Sequence, residues 1–394
     1  MKRLAPVVAM AASTLSCIVH AQGSVTLYGV VDEGINYNSN SGGHPSYAMQ
    51  SGVAQGNRFG LRGSEGLGAG WQSVFVLENG FDVSNGKLAQ GGLLFGRQAY
   101  IGVTNPYVTV TLGRQYDIQT DFVGPFAASR QWAGNIGAHP GDMDNFINTV
   151  RTNNSIKVVS ASFDGVTMGG MYSLGGVAGD PIRNQAWSLG VSYANGPFSA
   201  GAGYLNVRDP NVSYFGNATS GTASASVANS VYPVYSGFLS AHSFQVASAG
   251  LSYKFGPATA SAVYSYVSFI GLGDLSAGPN PQGYTGSVHF NNADASLSYL
   301  IVPQVLLGAA LAYTDGSSVS GANGSHGGAR YKSGAITAQY YLSKRTSVYV
   351  LGIYQVASGV DSLNEAARAS INNQPAASTS NRQAVVRIAM LHKF

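Results

Sequence analysis

Charge is scarce in this chain: Asp, Glu, Lys and Arg make up 10% of its 394 residues, where a soluble domain carries about 25%. Cysteine is nearly absent. The single Cys17 sits in an N-terminal apolar stretch, so no disulfide framework and no thiol chemistry is available to the rest of the chain. Long apolar runs are missing as well. Beyond residue 21 no segment approaches the roughly 18 consecutive apolar residues of a membrane-crossing helix. His44, His139, His242, His289, His326 and His392 never pair at metal-ligand spacing on one element, so no metal and no cofactor is expected. The stretch GSEGLGAG (63–70) lacks the Lys-Ser/Thr of a phosphate-binding loop and reads as a tight turn.

The N-terminus has its own logic. Lys2 and Arg3 precede an apolar run, Leu4 to Val19, which ends in Val19-His20-Ala21, a small-x-small cleavage pattern. Residues 1–21 are therefore expected to be a secretory signal peptide and residues 22–394 the working domain. The run is short for a membrane anchor, and Thr14 disfavours lipid attachment at Cys17. Without Lys2 and Arg3 the basic count falls from 21 to 19, against 17 acidic residues. So small a surplus argues against a nucleic-acid partner.

What the chain has is glycine (52), tyrosine (23) and alternation. Val386, Ile388, Met390, His392 and Phe394 share one face, with Arg387 and Lys393 on the other. Phe59 and Leu61 oppose Arg58, Gly60 and Arg62. Val108, Val110 and Leu112 oppose Tyr107, Thr109, Thr111 and Gln115. Ile156 and Val158 oppose Arg151, Asn153, Ser155 and Lys157. Short connections at 65–70, 104–107, 163–166, 194–197, 255–258, 300–303 and 342–346 alternate with long ones near 38–55, 83–92, 118–150, 175–184, 209–243, 271–284, 315–329 and 358–382. They join sixteen strands centred near 30, 60, 75, 98, 111, 157, 170, 190, 202, 249, 263, 294, 308, 336, 351 and 389. An even number of strands, short turns at one end and long loops at the other define a transmembrane β-barrel. A soluble β-sandwich, the competing all-β class, gives no reason for strict short–long alternation or for so little charge. In a closed barrel the last strand pairs with the first, SVTLYGVVDEG, which leaves no free edge. Phe394 would then sit in the interfacial aromatic girdle, with Tyr28, Tyr100, Tyr340 and Tyr354 as further girdle or interface residues.

The segments SVTLYGVVDEGINY, NRFGLRGSEGLGAGWQSVFVLENGF, LFGRQAYIGV, VTLGRQYD, RTNNSIKV and LHKF resemble the Gram-negative general porins, in particular their β-proteobacterial group. Residues 205–290 resemble that family only in texture. The resemblance implies an all-β, 16-stranded antiparallel barrel with short periplasmic turns, long external loops and an inward-folded third loop. It further implies a homotrimer in outer-membrane lipid and lipopolysaccharide, read by the barrel-assembly machinery through Phe394. Transport would be passive, for small hydrophilic solutes and ions.

A lumen of sixteen strands is wide enough to hold water, so a narrowing element is needed, and the connection 118–150 is long enough to serve. Arg58 and Arg62 share a polar face, and Arg151 opens another strand. The resemblance matches Arg58, Arg97 and Arg151 to the family's wall arginines, with Arg62 flanking them. Opposing carboxylates are expected from the loop, where Asp117, Asp121, Asp142 and Asp144 are available and Asp121 and Asp142 are favoured. The loop lacks the Pro-Glu-Phe-Gly motif of better-known porins, and Arg130 on it favours a mild anion preference. Arg114 lies on the apolar parity, which suggests snorkelling at the membrane edge. No catalytic constellation is found. The alternatives are a solute-specific channel of the same fold, an outer-membrane barrel enzyme, and an autotransporter barrel, for which no passenger segment remains.

Overall fold

The computed structural model describes residues 23–218 and 223–394. The expected signal peptide, residues 1–21, lies outside them. Up to the first long connection the chain forms β1 (Ser24–Ser41), β2 (His44–Ser51), β3 (Arg58–Gly68), β4 (Trp71–Gly80), β5 (Gln98–Thr104) and β6 (Val108–Gln115). A short helix, α1 (Ile118–Phe122), opens that connection. Then come β7 (Thr152–Ser160), β8 (Val166–Ser173), β9 (Ala186–Asn195) and β10 (Phe198–Arg208). After a second long connection follow β11 (Ser243–Phe255), β12 (Ala258–Leu272), β13 (Gly286–Val302) and β14 (Val305–Gly316). A hairpin of β15 (Val319–Gly321) and β16 (Gly324–His326) leads to β17 (Arg330–Tyr341), β18 (Thr346–Ser358) and β19 (Arg382–Lys393).

Sixteen of these strands make one closed antiparallel barrel. β2, β15 and β16 are accessory: β15 and β16 form a separate pair, and β2 rides on the outer half of β1. Every strand centre expected from alternation falls inside one of the sixteen. The seam runs from Val30 opposite Lys393 to Asn38 opposite Val385. Below it Gly29 and Phe394 exchange backbone hydrogen bonds of 3.0 and 3.1 Å, with the Phe394 ring lying over Gly29.

The two faces differ as lipid and water require. Along β19 Val386, Ile388 and Met390 point outward and exposed, while Gln383 and Arg387 are buried inside. Along β13 Ala293, Ala295 and Leu297 face out, and Asn292, Asp294 and Ser296 face in. No helix among the described residues is long and apolar enough to cross a membrane; the wall is made of strands.

The structure departs from expectation at three places. The connection expected at 38–55 is mostly strand: β1 runs on to Ser41, turns at Gly42-Gly43 and returns as β2. The chain leaves the wall only at residues 52–57, an inward excursion that buries Val53. Arg114 is not a snorkelling cation. Gly113, at φ 140°, and a register shift break the parity there. The buried guanidinium donates to Gly96 O and Asn217 O, both at 2.9 Å, and to Asn153 Oδ1. Tyr28 and Tyr100, expected in the girdle, alternate with the outward Leu27 and Ile101 and so face inward; Tyr340 and Tyr354 are exposed.

One buried ion pair ties the seam to the excursion. Arg387 NH2 meets Asp32 Oδ1 at 2.9 Å, and both side chains are fully buried. Tyr349 hydroxyl donates to the same oxygen at 2.7 Å. Asp32 Oδ2 accepts the backbone N–H groups of Ala54 at 2.5 Å and Gln55 at 3.2 Å. Removing one member of such a pair strands a buried charge, which costs about 3–5 kcal/mol. Arg387→Met is therefore expected to lower the unfolding free energy in detergent by about that much. The double variant Arg387→Met/Asp32→Asn should regain part of the loss. Strictly additive losses in urea titrations would mean that the pair is not coupled.

Candidate pore constriction

The connection 118–150 folds into the barrel. Asp117 caps α1: its carboxylate accepts Thr120 N and Thr120 Oγ1, both at 2.9 Å. The loop then lies against inner-wall positions that have no side chain. A Cβ on Gly190 would sit 2.8 Å from Ile118 Cγ2, one on Gly203 2.9 Å from Gln119 Cα, and one on Gly250 2.8 Å from Phe126 Cβ. At such distances any side chain on the wall would push the loop away. Further on, Trp132 packs over Gly308. Gln131 Nε2 donates to Ser261 Oγ at 2.8 Å, and Asn135 N donates to Val53 O of the excursion at 2.7 Å.

The return limb is anchored by a buried polar cluster. His139 Nδ1 and Asp144 Oδ2 lie 2.6 Å apart, and Ser265 Oγ of β12 donates to the same oxygen at 2.6 Å. Asp294 of β13 approaches His139 Nε2 to 3.8 Å. Asn372 Nδ2 donates to His139 O at 2.9 Å. From the mouth, Tyr235 hydroxyl reaches Gly141 O at 3.0 Å. Tyr235 itself belongs to an aromatic cluster with Phe215, Phe244 and Phe269, so the described residues of the connection 209–242 include a part that packs inward rather than standing free outside.

Between loop and wall lies a cavity of about 530 Å³. Its charged lining is four arginines, Arg58, Arg97, Arg130 and Arg151, and one carboxylate, Glu78. Glu78 is already engaged. Arg97 Nε lies 2.7 Å from Oε1 and Arg58 Nε 3.8 Å from Oε2, while Tyr28 hydroxyl donates to Oε2 at 2.9 Å. Tyr116 bridges the group: its hydroxyl accepts Arg97 NH2 at 3.0 Å, and its ring carries the Arg151 guanidinium 5.5 Å from its centroid. Among the described residues Arg130 and Arg151 have no carboxylate within ion-pair distance. The buried Arg151 Nε has no hydrogen-bond acceptor.

Arg58, Arg97 and Arg151 thus meet in one cavity, whereas the other expected site residues lie elsewhere. Arg62 stands apart over the Tyr28 ring, 5.4 Å from its centroid. The loop aspartates expected to face the arginines are engaged by other partners. Asp117 is the buried cap, and Asp121 pairs with Lys157 on β7. Asp142 accepts Ile147 N and Thr149 N, both at 3.1 Å. Glu78 was missed because Val74, Phe75, Val76 and Leu77 precede it, an unbroken apolar run that hides parity. Its place opposite Gly60, two residues from Arg58, was the available signal.

This architecture, a closed barrel of sixteen strands with a lumen crossed by its own loop, defines the class of channel-forming transmembrane barrels. Residues 7–355 match the model of the Gram-negative porins, and the chain belongs to that family. It is an outer-membrane β-barrel. An outer membrane porin protein of Bordetella pertussis is 37% identical over 215 residues, covering 47% of this chain and 54% of that protein. Outer membrane porin protein 32 of Delftia acidovorans is 32% identical over 213 residues, covering 50% and 58% respectively. The chain thus spans a little over half the length of the curated relatives it matches. Among solved structures, the anion-selective porin from Comamonas acidovorans superposes with a TM-score of 0.69 at 21% identity, covering 95% of this chain and all of that one. The trimer form of OmpT from Vibrio cholerae superposes with 0.61 at 14% identity, covering 94% and 99%.

The loop anchor titrates. Burial works against a charge on His139, but Asp144, with Asp294 and Asp142 behind it, outweighs burial and lifts the imidazole to about 9. Burial, reinforced by Asp144, pushes the Asp142 carboxyl up to about 7. Both groups hold a proton more tightly in the folded loop than in an unfolded chain. The stability that each proton contributes is complete below the ordinary pKa and is lost as pH rises through the raised one. The Asp142 contribution is therefore gone by about pH 7, and above that the anchor weakens as His139 loses its proton, up to about pH 9. Open-channel current noise is expected to grow over that window in the wild type. In His139→Gln it should be high and flat. A flat wild-type profile contradicts this account.

Proposed function

We propose that this porin is a passive diffusion pore for small hydrophilic solutes and ions, working as a homotrimer after export by a cleaved signal peptide, with a preference for anions. One observation carries the preference: four arginines line the cavity against a single carboxylate that two of them already neutralise. Arg130 is exposed to whatever passes, and Arg151, buried over Tyr116, adds a positive charge that no carboxylate offsets. Arginine suits this role because it stays charged at any working pH and presents its donors in a rigid fork. The cavity walls are low-dielectric, so each cation acts more strongly on a partly dehydrated ion than it would in open water. The anion selectivity stated for the Comamonas acidovorans porin accords with this reading. The trimer form of the Vibrio cholerae barrel accords with the assembly.

The test is the reversal potential in a salt gradient. Even in water, one charge ~5 Å from a passing ion shifts its energy by ~0.8 kcal/mol, about fourfold in occupancy. Arg58→Ala/Arg151→Ala should therefore lower the chloride-over-potassium permeability ratio severalfold. Glu78→Gln, which releases Arg58 and Arg97, should raise it. If neither variant moves the ratio, the arginine cluster does not set selectivity.

A further inference from the structure

At the external ends of three neighbouring strands the chain brings two carboxylates and an imidazole together. Asp209 follows β10, His242 precedes β11 and Asp274 lies beyond the end of β12. Asp209 N donates to His242 O, and His242 N to Gly271 O, both at 3.1 Å. The ladder thus extends one rung past the strands, and the cluster stands on rigid backbone. One ligand atom from each of the three lies within 4.8 Å of the others.

Three independent features suit a divalent cation. Asp209 is 6% exposed, yet no cationic side chain among the described residues is within ion-pair distance; Asn184 N donates to its Oδ2 at 3.2 Å. A buried carboxylate with so little compensation is expensive unless a cation joins it. His242 Nδ1 stands 3.4 Å from Asp274 Oδ2. That is longer than the roughly 2.7–2.9 Å of a charge-assisted hydrogen bond. It is close to the ~3.3 Å edge of a tetrahedron whose ligands lie about 2.0–2.1 Å from a zinc ion. Finally, Ser276 N and Oγ bind Asp274 Oδ1 at 2.9 and 2.6 Å, which leaves Oδ2 turned to the imidazole. Outer-shell contacts of this kind orient metal ligands.

We propose that Asp209, His242 and Asp274 bind one divalent transition-metal ion of the zinc class, with water completing its coordination. The imidazole favours such an ion over calcium or magnesium, which prefer all-oxygen cages. The bound ion would clamp the connection 209–242 to the one that follows β12. The first of these carries Tyr235, in contact with the constriction loop, so the clamp would brace the mouth of the pore.

The experiment uses the full folded barrel in detergent with zinc chloride as probe, followed by calorimetry and by metal analysis after desalting. The wild type is expected to bind one zinc per chain. His242→Gln and Asp274→Asn, both at partly exposed positions, should each weaken binding at least about tenfold, and together abolish it. Heat-modifiable mobility in SDS gels should stay that of a folded barrel. His392→Gln, at the opposite rim beside Thr346, should leave binding unchanged. The proposal is overturned if the double variant binds zinc as well as the wild type does, if the wild type binds none, or if magnesium competes on equal terms.

Discussion

The Asp32–Arg387 pair sits where the sheet closes on itself, and closure is the condition for everything inside. Hydrocarbon offers no partner to a free N–H or C=O group, so a membrane sheet survives only without edges. Closing it requires β19 to meet β1 in one register, and a slip of one residue would turn every side chain to the opposite face. Such a slip would carry Arg387 into lipid, where an arginine near the midplane costs roughly 2–4 kcal/mol. It would also leave Asp32 unpaired. Alternation says that the strands belong to a barrel; the buried pair says which rung of β19 belongs beside which rung of β1.

The same pair reaches further than the seam. Asp32 holds residues 54 and 55 inside the lumen, and the neighbouring Val53 carbonyl receives Asn135 from the constriction loop. Closure, excursion and loop are thus three links of one hydrogen-bonded chain. On the far wall the loop is positioned by the absence of side chains. Gly190, Gly203 and Gly250 let α1 and Phe126 approach until backbone and side chain touch. Polar anchors fix where the loop starts and returns, and bare wall fixes how close it lies.

Much of this was legible in the sequence, and the limits have physical causes. Strand positions could be read because lipid on one side and water on the other impose a period of two on every wall segment. Arg58, Arg97 and Arg151 were singled out by resemblance, with polar parity supporting Arg58 and Arg151, and the fold brings all three to one cavity. Glu78 was hidden inside VFVLE, where the inward positions Val74 and Val76 are as apolar as the outward ones. The excursion at 52–57 gave no periodic signal, since its residues are held by one distant carboxylate rather than by a neighbouring strand. The loop aspartates looked like pore residues because an inward loop in water has no evident use for four carboxylates. The fold does use three of them, as a helix cap at Asp117, a backbone clamp at Asp142 and a histidine partner at Asp144. A loop without regular structure must satisfy its own N–H groups, and short acidic side chains are well suited to that.

That use of aspartate reshapes the electrostatics of the pore. With its carboxylates engaged by its own backbone, by His139 and by Lys157 of the wall, the loop presents Arg130 to the lumen, and the facing wall presents three more arginines around Glu78. Cations therefore stand on both sides of the narrow region, where a wall of cations facing a loop of anions had been expected. Opposed charges give a transverse field that orients dipoles passing through; like charges give a well for anions and a barrier for cations. A single carboxylate keeps the arginines together without cancelling them. Tyr116 does the same work without charge, by accepting from Arg97 and lying beneath Arg151. The loop's need to satisfy its own polar groups and the surplus of arginine around the cavity thus follow from one allocation of the same few acidic residues.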